Sequence, residues 1–118
     1  MKRRVRDMIM VIGGLLMAAA GILVTFFPPK SINSLYGYRT KRSMADESQW
    51  REGNRFSALL MILFGLISAA AGFAGSLLIR LTQPFALIVQ AVLLIAISVL
   101  IIVLTERRLK QTGRRFDE

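Results

Sequence analysis

An all-α integral membrane protein with three transmembrane helices is the fold class that this 118-residue sequence predicts. Three observations carry it. Hydrophobic residues make up 54% of the chain and mean hydropathy is +0.54, more apolar surface than one soluble core of this size can hide. The formal net charge is nevertheless +9 at pH 7, as expected where cations flank apolar spans rather than interrupt them. The apolar residues fall in three runs without an ionisable side chain, at about 8–27, 56–79 and 84–104. Each has roughly the 20 residues a helix needs to cross hydrocarbon. Continuous runs lack the alternation of a barrel strand, and in lipid only helices and closed barrels satisfy the backbone.

The first run follows Lys2, Arg3, Arg4 and Arg6 and ends at Pro28-Pro29. A basic start, an apolar stretch and Ala18-Ala19-Ala20-Gly21 also resemble a signal peptide. Two prolines placed where a span should end favour a retained helix. Gly14, Ala18 and Gly21 form a small-residue face on it, suited to close helix packing.

Residues 28–55 form a loop too long for a plain connection. Its first half is extended and turn-like: the two prolines forbid helix, and Gly37 permits a turn between the interfacial aromatics Tyr36 and Tyr38. Ser43 with Asp46 three residues on resembles a capping box and predicts a short amphipathic helix from Met44. In that helix Glu47 and Arg51 pair i,i+4, and Trp50, Asn54 and Ala58 share a face able to run on into the second span.

Ser68, Gly72 and Ser76 repeat at four-residue spacing on the second span. This face fits a helix partner, inside the chain or in a second copy, and a homo-oligomer (most simply a dimer) or a membrane-protein partner is the expectation. Pro84 opens the third span where a missing N–H costs little, so residues 80–83 make a tight antiparallel turn. The tail 105–118 is polar and basic, and its first turns extend the third helix into the headgroup layer.

Orientation follows from the cations. Three spans put the termini on opposite sides, with 5 basic residues on the side of the N-terminus and the 80–83 turn against 11 on the side of the loop and tail. The excess places the loop and C-terminus in the cytoplasm of a bacterial plasma (inner) membrane and the N-terminus outside. The same cations attract membrane lipids of anionic character. Nucleic acid is not an expected partner, since no soluble domain supplies a readout surface.

Chemistry is sparse. The sequence contains no cysteine and no histidine, which removes thiolate nucleophiles, imidazole acid–base catalysis and Cys/His metal sites. No metal, no cofactor and no catalytic residue is expected. Inside the spans Gln90 is the one sizeable polar side chain, expected to face another helix, and no charge marks a proton relay.

Asn33, Gly37, Tyr38, Arg39, Thr40, Ser43, Trp50 and Asn54 together carry a pattern. They resemble the loop motif of the SdpI/YfhL-like membrane proteins, relatives of an immunity protein that protects cells from a sporulation-delaying peptide toxin. Larger members carry an additional N-terminal membrane region. The resemblance implies a cytoplasmic motif loop and a non-enzymatic immunity or signalling role, with a hydrophobic peptide such as a toxin, a lipid or a membrane partner as ligand. A small oligomeric transporter or channel is the alternative, and a headgroup-directed enzyme ranks lowest. Physically the motif admits two readings. In one, Arg39 bonds helix-end carbonyls and Trp50 covers it, a structural clamp in which Arg39→Lys destabilises. In the other, the Arg39 fork holds a phosphate or carboxylate.

Overall fold

In a computed structural model the described residues form three helices: α1 (Ile9–Phe26), α2 (Glu47–Leu78) and α3 (Phe85–Asp117). The structure describes residues 8–33, 36–78 and 85–117, with side chains in the last helix as far as Thr112. The N-terminal basic tail, the 80–83 turn with Pro84, and the side chains of the final residues lie outside the described residues. All three helices are long and apolar enough to cross a membrane.

Their lengths differ, and the difference makes the site. At 1.5 Å per residue, the 18 residues of α1 reach about 27 Å, just enough for the hydrocarbon. The 32 residues of α2 and 33 of α3 reach about 48 and 50 Å. Packing sets where the surplus goes. Gly21 of α1 faces Ala58 of α2, and Gly14 faces Gly65, while α1 runs only five residues beyond Gly21, so the first turns of α2, residues 47 to about 53, overhang the end of α1. At the opposite end of the membrane span, the Met10 backbone N–H donates to Gln90 Oε1 at 3.0 Å. That contact aligns the start of α3 with the start of α1, so α3 overhangs at the same end as α2. The two overhangs and the loop between α1 and α2 build a polar head.

The α1–α2 contact is backbone on backbone. A Cβ on Gly14 would lie 2.5 Å from Gly65 O, and one on Gly65 2.5 Å from Gly14 O, so neither position admits a side chain without parting the helices. This is the small-residue packing that membrane helices use in place of a hydrophobic drive. Gly14, Ala18 and Gly21 are buried on α1, and Gly65, Ser68 and Gly72 on α2. Of the face Ser68/Gly72/Ser76, two residues take a partner inside the chain. Ser68 is fully buried and Gly72 packs on Met10 and Val11 of the same chain. Ser76 is exposed and bonds its own helix at Phe73 O. Gly72→Leu therefore attacks the α1–α2 pair rather than a contact between copies.

The loop-side start of α2 also differs from expectation. There is no separate short helix among the described residues; 47–55 are the first turns of α2 itself. Asp46 caps it, its Oδ1 accepting from Gln49 N at 2.8 Å, the position and chemistry of an N-cap. Ser43 cannot serve because its hydroxyl is engaged inside the loop.

Candidate functional site

The head is assembled around α2's first three turns. Trp50 is fully buried, and its Nε1 donates to Pro29 O at 2.8 Å, pinning the chain where it leaves α1. One turn later Asn54 works in two directions. Its Oδ1 accepts from Tyr38 N at 2.6 Å and its Nδ2 donates to Trp50 O at 2.8 Å. Between them sits Gly37 at φ 104, a conformation that L side chains rarely adopt. Any Cβ there would run into Asn54 Oδ1 and come within 2.8 Å of Pro29 Cγ. Glycine is required at this point twice over, for its backbone angle and for the space.

Ser43 closes the loop on itself. It is fully buried; its Oγ accepts from Thr40 N at 2.8 Å and donates to Tyr38 O at 2.9 Å. Ser43 N returns a bond to Thr40 Oγ1 at 3.1 Å. Asn33 Oδ1 accepts from Tyr36 N at 2.7 Å, and the Tyr36 hydroxyl caps the end of α1 by donating to Phe27 O at 2.7 Å.

The α3 overhang locks the outer side. Gln49 Nε2 donates to Leu109 O at 2.9 Å, and Leu109 is fully buried against Gly53. The Tyr38 hydroxyl donates to Glu106 Oε1 at 2.7 Å, and Arg42 approaches Glu106 Oε2 at 3.4 Å. Burial, together with the facing Glu106 carboxylate, pushes the Tyr38 phenol well above its ordinary 10.0. Burial would also push Glu52 up, but the guanidiniums of Arg55, at 2.9 Å, and Arg108, at 3.1 Å, outweigh it. They hold its carboxyl below the ordinary 4.5.

The motif therefore divides. Gly37, Tyr38, Thr40, Ser43, Trp50 and Asn54 meet in one network; Asn33 lies at the loop's entrance. Arg39 stands apart: it is exposed and makes no hydrogen bond or ion pair with a described residue. The clamp reading's bond from Arg39 to helix-end carbonyls is absent among the described residues: Phe27 N, the Tyr36 hydroxyl and Trp50 Nε1 already bond Leu23 O, Phe27 O and Pro29 O. The expected Glu47–Arg51 pair is replaced by Glu52 with Arg55 and Arg108. The stacked cation is Arg108 over Phe56, 5.7 Å from the ring centre. Of the packing residues, Gln90 also bonds Ala86 O at 3.2 Å within α3.

Sequence reasoning missed Pro29, Gln49, Glu52, Glu106, Arg108 and Leu109. Gln49, Gly53 and Ser57 recur every fourth residue, a polar and small stripe that would have marked the α3-facing side of the helix.

A loop clamped by the start of one helix and roofed by the C-terminal overhang of another, on top of three apolar helices, defines a small helical membrane protein with a polar head at one end. The chain belongs to the SdpI/YfhL protein family, whose pattern matches residues 30–104, the stretch that carries the whole motif. A relative from Bacillus subtilis (strain 168), bearing the name Uncharacterized protein YfhL, is 54% identical over 100 residues, 85% of this chain and 84% of its own length. No solved structure matches the chain.

Proposed function

We propose that this is a non-enzymatic membrane protein of the immunity or signalling type, which binds a membrane-borne hydrophobic peptide or partner at its head through Arg39. The head and C-terminus face the cytoplasm of a bacterial plasma membrane. One observation carries the reading: the other motif side chains in the network are bonded within the head, whereas Arg39 is exposed and makes no hydrogen bond or ion pair with a described residue. A planar guanidinium so placed suits a carboxylate such as a peptide terminus, and a clamped loop lowers the ordering cost of binding.

The channel reading finds less support. Thr25, Ser68 and Ser98 bond carbonyls of their own helices, at Gly21, Phe64 and Leu94, and Gln90 is engaged with α1. The hydroxyls are turned to their own backbone and Gln90 to a neighbouring helix, instead of lining a polar path.

The test is survival of cells expressing the wild-type protein or Arg39→Gln when challenged with membrane-active hydrophobic peptides. Wild type should protect, and Arg39→Gln, present in the membrane at the same level, should not. Equal survival of the two strains overturns the proposal. For orientation, Lys41→Cys should resist an impermeant maleimide in intact cells and react once they are lysed.

A further inference from the structure

The head's charges are unevenly matched. Among the described residues it holds Lys30, Arg39, Lys41, Arg42, Arg51, Arg55, Arg107, Arg108 and Lys110 against Asp46, Glu47, Glu52 and Glu106. The acids are already occupied or poorly placed to neutralise the rest. Glu52 takes Arg55 and Arg108. Glu106 takes Arg42 and the Tyr38 hydroxyl. Asp46 caps α2, and Glu47 lies in that helix's first turn, where the helix dipole favours it. Arg39 aside, this leaves Lys30, Lys41, Arg51, Arg107 and Lys110, all exposed and none with a hydrogen bond or ion pair among the described residues.

Their depth is set by the apolar surface beneath them. Phe26 and Phe27, 73% and 70% exposed, end the apolar face of α1 just before Lys30. Ile102 and Val103, 47% and 46% exposed, end that of α3 one turn before Arg107. The cations come from three separate elements, the loop (Lys30, Lys41), α2 (Arg51) and α3 (Arg107, Lys110), and together they collar the head.

We propose that this collar binds the headgroups of anionic phospholipids, whose tails lie along the exposed apolar faces of α1 and α3. Charge and position together favour this occupant. A cation at the edge of hydrocarbon meets headgroup phosphates directly, and each adds to attraction for an anionic leaflet. Five exposed cations beside the ends of two apolar faces suit lipids, whose tails those faces cover. The inference deepens the reading of the head as the recognition end: anionic lipid would seat it at the surface where a membrane-borne partner arrives.

The experiment uses the full chain in nanodiscs of phosphatidylcholine with phosphatidylglycerol, with retained lipid identified by native mass spectrometry. The variant is Lys41→Gln/Arg107→Gln/Lys110→Gln, which leaves Arg39 and the clamp untouched. Wild type should retain phosphatidylglycerol in preference to phosphatidylcholine, and the preference should fall about fivefold for each cation removed and fall again with added salt. Melting in pure phosphatidylcholine should be the same for both proteins, which separates lost binding from lost folding. Equal retention of the two lipids by wild type overturns the inference. So does a preference that the variant keeps, or one abolished by millimolar inorganic phosphate at constant ionic strength. If lipid preference fails while Arg39→Gln still removes protection, the lipid inference alone falls; the reverse result sinks the peptide-binding proposal.

Discussion

Asn54→Ala is the substitution that most sharply probes the head. Asn54 is 3% exposed and bridges the loop to α2 through bonds of 2.6 and 2.8 Å. Alanine leaves the half-buried Tyr38 N–H without its acceptor, a loss of about 1–3 kcal/mol. The Trp50 carbonyl suffers less, since it lies within α2 where the helix supplies a second donor, and losing the side-chain bond costs about 0.5–1 kcal/mol. Alanine's better helix propensity returns up to about 0.7 kcal/mol. The balance is about 2 kcal/mol, or roughly 8 °C in melting temperature at roughly 4 °C per kcal/mol for a chain of this size. Thermal melting in mild detergent, followed by the fluorescence of the single tryptophan, measures it. Gly37→Ala should also destabilise, and the two substitutions should be less than additive. Removing the Asn54 side chain takes away one of the two groups a Cβ at position 37 would strike, the coupling expected of residues in contact. Melting of Asn54→Ala within a degree of wild type, or strict additivity with Gly37→Ala, would refute the clamp.

Other consequences are equally direct. Gly65→Leu should part α1 from α2 and cost at least about 3 kcal/mol, because its Cβ meets backbone atoms of Gly14 and Ala18. Gly75→Leu on the same helix, where a Cβ meets nothing within 4 Å, should melt like wild type; equal loss in the two would contradict the packing. The Glu52 ion pairs hold its carboxyl below its ordinary value, so their contribution is present above about pH 4.5 and fades as pH falls through the lowered value. Glu52→Gln should flatten that acid limb of a melting-temperature profile. Tyr38 is shifted the other way, so its neutral form supports the fold below about pH 10 and that support fades as pH rises further. Ultraviolet titration of wild type against Tyr38→Phe should show a phenol still protonated at the pH where an exposed tyrosine is half ionised, about 10.

The membrane helices were legible because each apolar run is unbroken and long, and nothing in the fold competes with that signal. Helix starts were less so. Ser43 and Asp46 both look like caps by residue type, and only the three-dimensional loop shows that the Ser43 hydroxyl is committed to Thr40 and Tyr38, leaving Asp46 to begin α2. The head's roof was hidden for a different reason. Gln49 to Leu109 and Tyr38 to Glu106 join residues 60 and 68 positions apart. They exist because α3 runs past the membrane boundary in register with α2, a register that the Gln90–Met10 contact and the length of α1 jointly impose. The motif residues were recognisable as a group, but their roles were not. Sequence admits Arg39 as a clamp or as a ligand group, whereas a tyrosine hydroxyl, a buried tryptophan and an asparagine take the clamping work and the arginine is exposed.

That division of labour is open to one direct measurement. The chain has no cysteine, so a single introduced thiol reports its own surroundings. Arg39→Cys and Ser43→Cys, purified in mild detergent, are compared for their rate of reaction with a water-soluble maleimide before and after unfolding. The account predicts fast labelling at position 39 in the folded protein and protection at position 43, fully buried here, until the protein unfolds. Protection at position 39, or equal rates at the two positions in the folded state, would contradict it.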